Sequence, residues 1–146
     1  FELLGSMDPS YPKSVPEERL HQDEADGILK YVGFTHDMNS VYERKGIVIT
    51  LPSYSEGMNR ALMEATASGK PIITSDIPGC REAVDDGVNG YLVPVKNADA
   101  LAEAMLRYIR LSDEEKQKQS DMSRVKAESI FDIRNVIGKY KEIVGE

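Results

Sequence analysis

Short continuous apolar runs alternate with longer stretches in which apolar residues recur every three or four positions. Phe1–Leu4, Ile28–Val32, Gly46–Thr50, Pro71–Thr74 and Gly90–Val93 are the short runs, and they predict strands buried on both faces. Glu17–Ala25 reads as a polar helix and Asn39–Arg44 as a short one. Asn59–Ser68 reads as a helix stopped by Gly69 and Pro71. Gly79–Asp85 predicts a further short helix, followed by the turn Gly87-Val88-Asn89-Gly90. In the last third, Ala98, Leu101, Ala102, Met105, Leu106 and Ile109 hold one apolar face at helical spacing. Ser112 with Glu115 fits a capping box for the next helix. Asp132 caps a final amphipathic helix carrying Ile133, Val136, Ile137, Tyr140 and Val144. Strands that alternate with helices and lack internal polar alternation predict an α/β fold, a parallel sheet with helices on both faces.

Length adds that 146 residues suit one domain. The net charge of −7 argues against nucleic acid as a partner, because phosphate backbones demand a basic surface. No apolar run is long enough to cross a bilayer, and no signal peptide is visible. One cysteine, Cys80, forms no internal disulfide and no metal cluster, so a cytoplasmic setting is expected. The chain opens on strand-like FELLG without an initiator Met, as a fragment would.

Ligands of open parallel sheets bind beyond the carboxyl ends of the strands. Two loops stand out by that rule, Leu51–Met58 and Ser75–Cys80. The first enters a helix through Gly57, which permits close backbone approach. The N–H groups of Arg60 and Ala61 and the helix dipole then form a natural phosphate site. The dinucleotide fingerprint and the P-loop are both missing, since Gly69-Lys70 is followed by Pro71. There is no D-x-D, so a carboxylate pair holding a metal against a diphosphate is unsupported. His36 follows a strand, but a lone loop histidine is ordinarily a surface residue. Glu82 reads as a brace for the short helix after Gly79.

Glu56 and Glu64 are separated by seven residues. Ser53-Tyr54-Ser55-Glu56 matches a capping box, which would make Glu56 a cap. Glu64 sits among Leu62, Met63, Ala65 and Ala67 in what reads as a largely buried helix, where a carboxylate needs a partner. It could pair with Arg60 four residues earlier, or it could accept hydroxyl hydrogen bonds from a sugar. Spacing alone leaves those two readings level.

The stretch LPSYSEGMNRALMEATASGKPIITSDIPGCREAVDDGVNGYLVP, with the helices after it, resembles the E-x7-E region of retaining glycosyltransferases of family 4. The resemblance covers essentially the whole chain. It implies the GT-B fold, with residues 1–146 forming the Rossmann-like C-terminal donor-binding half. The first strand–helix unit of that half and the acceptor-binding domain would be absent. By the resemblance, Glu64 would bind the ribose and Glu56 a hydroxyl of the transferred sugar, making Glu56 the catalytic candidate. Gly57, Met58 and Asn59 would line the sugar, Arg60 and Ala61 would meet the diphosphate, and Phe34 and Thr35 in the segment Tyr31–Thr35 would flank the base. The donor would be a UDP- or GDP-linked sugar, with no metal or other cofactor. The acceptor, a glycan or lipid-linked sugar, would be held by the absent domain, in polysaccharide or glycoconjugate synthesis at the inner face of the membrane. The Arg and Lys that the family usually supplies for the diphosphate have no counterpart here. The competing expectation is a non-catalytic nucleotide-binding or interaction module on the same fold.

Overall fold

The structure is a computed structural model that describes residues 1–8, 10, 14–54 and 57–145. The chain divides into two compact units, Phe1–Val41 and Tyr42–Glu146.

In the first unit, β1 (Glu2–Leu4) and β2 (Lys30–Gly33) pair in parallel, with Leu3 opposite Tyr31. The helix α1 (Glu17–Ala25) connects them, as its polar pattern predicts; α2 (Met38–Tyr42) follows, its last residue, Tyr42, belonging to the second unit. The Glu24 carboxylate accepts from the Tyr31 N–H at 2.9 Å, and the Tyr31 hydroxyl donates to the Gly5 carbonyl at 2.8 Å. The expectation of a buried first strand is corrected. Glu2 and Leu3 are exposed, because β1 has a single strand neighbour among the described residues.

In the second unit, β3 (Val48–Thr50), β4 (Ile72–Ser75) and β5 (Gly90–Val93) form a parallel sheet in that order. All three strands therefore end at the same edge. The middle strand β4 is buried along its whole length, as an apolar run with neighbours on both sides should be. Ile73, Tyr91 and Val93 point to one face. There they pack with Ile47 and Ile49 against Ala100, Leu101, Ala104, Met105 and Tyr108 of α4 (Ala98–Arg110). Leu62 and Ala65 of α3 (Arg60–Ala67) are fully buried, and α3 contacts β3 and β4. It is covered in turn by α5 (Asp113–Ile130). The apolar stripe of α4 is narrower than its sequence suggests, since Leu106 and Ile109 stay exposed.

Two expectations about termini hold. Ser112 and Glu115 form a reciprocal capping box on α5, and the Asp132 carboxylate accepts from the Arg134 N–H at 2.8 Å to open α6 (Ile133–Val144). The Gly79–Asp85 segment is shorter than predicted, a single 3-10 turn at Arg81–Ala83. In α6 the stripe of Ile133, Val136, Ile137, Tyr140 and Val144 is exposed. Tyr140 is thus a surface residue and not the core-edge residue its spacing implies.

Asn89 ties the sheet to the turn before it. Fully buried, it accepts from the Asp85 N–H at 2.7 Å and donates to the Ala83 carbonyl at 3.0 Å. Its own carbonyl accepts from Ile72 N–H and from the Ser123 hydroxyl of α5. Gly90 is required beside it, because a Cβ there would lie 1.9 Å from the Ile72 carbonyl oxygen.

Candidate functional site

The parallel register puts the segments after Thr50, Ser75 and Val93 at one edge of the three-stranded sheet. The α3 start, the 57–61 segment and the β4 loop meet there through Asn59. Its side-chain Oδ1 accepts from the Leu62 N–H at 3.2 Å, which makes it the N-cap. Its backbone N–H donates to the Gly79 carbonyl at 3.2 Å. Asn59 therefore locks the helix start to the β4 loop, and its N–H is committed within the chain. The N–H groups of Arg60 and Ala61 have no partner among the described residues, as expected for the first positions of a helix. The sequence places Asn59 at the start of the helix without marking it as the cap. Its bond to Gly79 needs the fold.

Glu56 lies outside the described residues, and with it the Ser53–Glu56 capping box. Gly57 and Met58 are exposed, and a Cβ added to Gly57 would meet nothing within 4 Å. Gly57 is also not in the left-handed region that glycine alone tolerates. The protein's own packing therefore does not demand a glycine there.

Glu64 corrects the expectation of a buried carboxylate. Its side chain is 37% exposed, and it accepts from Arg60 Nε at 2.7 Å. Arg60 itself is 91% exposed. Leu62 and Ala65 take the buried face of α3, and Glu64 falls on its edge. Tyr42 adds a group that sequence reading did not single out. It is buried, and its hydroxyl donates to the Ala61 carbonyl at 3.3 Å. Burial, and then the charge of Glu64, raise the Tyr42 pKa, which keeps the phenol protonated as a donor. The spacing of Met38, Val41 and Tyr42 on one helical face was the available signal.

The β4 loop is braced as Glu82 suggested. The Glu82 carboxylate accepts from the Gly79 N–H at 2.8 Å. Arg81, at the edge of the same loop, pairs with Asp76 at 3.0 Å. Lys70 plays no part at this edge. Its ammonium reaches the Arg44 carbonyl, and burial lowers its pKa. A depression of about 320 Å³ opens at the strand ends between Ser53, Ser75, Pro94 and Asn97. Gly57, Arg60 and Glu64 do not line it.

Phe34 and Thr35 belong to the first unit. Phe34 is exposed, with its ring edge-on to His36 at a centroid distance of 4.7 Å, and the Thr35 hydroxyl accepts from the Asp37 N–H at 3.0 Å. Among the described residues, no group of three His, Cys, Asp or Glu side chains converges as a metal-ligand set. No helix is long and apolar enough to cross a membrane.

The profile of the family described as "Glycosyl transferases group 1" matches residues 2–110. An N,N'-diacetylbacillosaminyl-diphospho-undecaprenol alpha-1,3-N-acetylgalactosaminyltransferase from Campylobacter jejuni is 35% identical over 103 residues, covering 70% of this chain and 26% of that enzyme. A D-inositol 3-phosphate glycosyltransferase from Corynebacterium glutamicum is 32% identical over 102 residues, covering 66% of this chain and 24% of its own length. The chain thus spans about a quarter of these curated relatives. Among solved structures, Anabaena HepE in complex with UDP superposes with a TM-score of 0.83 at 22% identity, over 99% of this chain and 40% of that one. The pneumococcal O-GlcNAc transferase GtfA, in complex with UDP and GlcNAc, matches with a TM-score of 0.74 at 25% identity, over 99% of this chain and 29% of GtfA.

Proposed function

The chain belongs to the group 1 glycosyltransferases, and from that premise we propose that it is the donor-binding part of an enzyme that moves a sugar from a nucleoside diphosphate to an acceptor. The observation that carries this reading is the start of α3. There, two backbone N–H groups without partners among the described residues lie one helical turn from an accessible carboxylate, Glu64. The N–H groups and the helix dipole suit a diphosphate, and the carboxylate suits a pair of vicinal hydroxyls. UDP is the nucleotide of choice for tests, because it is bound in the complexes of HepE and GtfA.

In this reading Glu64 takes the ribose, and Arg60 and Ala61 hold the diphosphate. Gly57 and Met58 lie against the sugar, and Asn59 fixes the turn that presents them. Glu56 takes a hydroxyl of the transferred sugar. The departing diphosphate gains charge as the glycosidic bond breaks. Preorganised N–H groups at the helix start stabilise that charge without needing to reorient. Retention at the anomeric carbon follows from the resemblance to family 4. So do an acceptor glycan or lipid-linked sugar on a further domain and work at the inner membrane face. The rival reading is a nucleotide-binding or interaction module without turnover on the same fold, and sugar transfer by the full-length protein separates the two.

The test is calorimetric titration of the full-length protein with UDP. Glu64→Ala weakens binding by about 1–3 kcal/mol, the value of charged hydrogen bonds. An unchanged affinity would remove Glu64 from the ribose.

A further inference from the structure

Arg60 and Glu64 face the diphosphate and the ribose of the proposed ligand, and in the structure they are bound to each other. Arg60 donates through Nε alone, at 2.7 Å, and its two terminal nitrogens have no partner among the described residues. The side chain is 91% exposed, so nothing packed around it holds it in place. It is the first residue of α3, on the same helix face as Glu64 four residues on.

We infer that Arg60 is a specificity-determining residue, which exchanges Glu64 for the diphosphate and so makes the site select phosphorylated ligands. The inference rests on the donor reading above and deepens it. A ligand that needs Glu64 for its ribose competes with the guanidinium for the same carboxylate oxygen. A neutral nucleoside breaks that ion pair and offers the cation no replacement. A nucleoside diphosphate breaks it too, but places two phosphates beside the α3 start. There the planar fork of Arg60 can reach them with its unengaged nitrogens. Arg60 therefore opposes the nucleoside and favours the diphosphate. An exposed ion pair at this spacing is weak, which suits a contact that must exchange.

The experiment titrates the full-length protein with uridine and with UDP, using ligand-observed NMR for the weaker binder. In Arg60→Ala, uridine binds about twofold tighter, the value of an exposed i,i+4 pair. UDP binds about 3- to 10-fold weaker, as expected when an exposed charge-assisted contact is lost. Opposite signs for the two ligands are the signature. If uridine weakens as well, Arg60 bridges carboxylate and ligand at once, and the exchange is overturned. If UDP is unchanged, Arg60 does not reach the diphosphate, and the inference is also overturned. Glu64→Gln separates this inference from the reading beneath it. Loss of both ligands in that variant keeps the ribose assignment whatever Arg60 does, and no loss removes the assignment itself.

Discussion

At the scale of single residues, Gly57 gives the sharpest contrast between folding and function. Among the described residues beyond its chain neighbours, no atom lies within 4 Å of where its Cβ would be, and its backbone is not left-handed. Gly57→Ala should therefore leave stability within about 0.5 kcal/mol. If a sugar lies against that backbone, the same change lowers kcat/KM by about tenfold or more, roughly 1.4 kcal/mol. Equal turnover in the two proteins would take Gly57 out of the site. Asn89 is the opposite case, a polar residue with a purely structural task. Asn89→Ala removes the acceptor of the part-buried Asp85 N–H and leaves the buried Ala83 carbonyl without its donor. It should cost about 2–4 kcal/mol, read from denaturant unfolding. A smaller loss would mean that water replaces the side chain. Sequence reading placed Asn89 in a turn between two glycines, which is correct. That it is buried at the sheet edge could not be read, because Ile72 and Ser123 reach it from distant parts of the chain. For Glu64, spacing leaves a pair with Arg60 and a ligand role level, and the structure forms the pair; only its degree of burial differs from expectation. Its apolar neighbours suggested burial, but Leu62 and Ala65 alone take the inner face.

At the scale of elements, the caps were the most legible features, because each is written within four residues. Ser112–Glu115 and Asp132 are such cases, and the structure forms both. Their acid behaviour follows. The Arg134 side chain, and then its N–H, hold the Asp132 carboxyl at about 2, below its ordinary 3.8. Hydrogen bonds from Ser112 lower Glu115 in the same way. A depressed carboxylate contributes stability that is fully present above its unfolded value and is lost as pH falls toward the folded one. The start of α6 should thus stay capped down to pH about 3 and lose its cap near about 2. The Arg134 amide shift, followed by NMR, should titrate with that lower midpoint. A midpoint at the ordinary value would show the cap to be open in solution. Elements whose partners lie far away read less well. The stripes of α4 and α6 predicted more burial than exists, since periodicity names the apolar face but not how much of it is covered.

At the scale of the whole molecule, the alternation of apolar runs and helices was enough to give an α/β fold with parallel strands. It was not enough to divide the strands into a pair and a triplet, since nothing local distinguishes Ile28–Val32 from Gly46–Thr50. Family membership, with a fold match at a TM-score of 0.83, supplies the functional frame. The chain's charge of −7 sharpens the chemistry of that frame. An acidic chain draws no anion by its overall field, so on the donor reading a diphosphate would depend on local groups such as those at the α3 start. The measurement that tests this most directly is a crystal structure of the full-length protein with UDP and with UDP-glucose. The ribose hydroxyls are expected on the Glu64 carboxylate and the diphosphate on the N–H groups of Arg60 and Ala61. A sugar hydroxyl is expected on Glu56 in the second complex. A ribose bound away from Glu64, with Arg60 still paired to that carboxylate, would contradict this assignment.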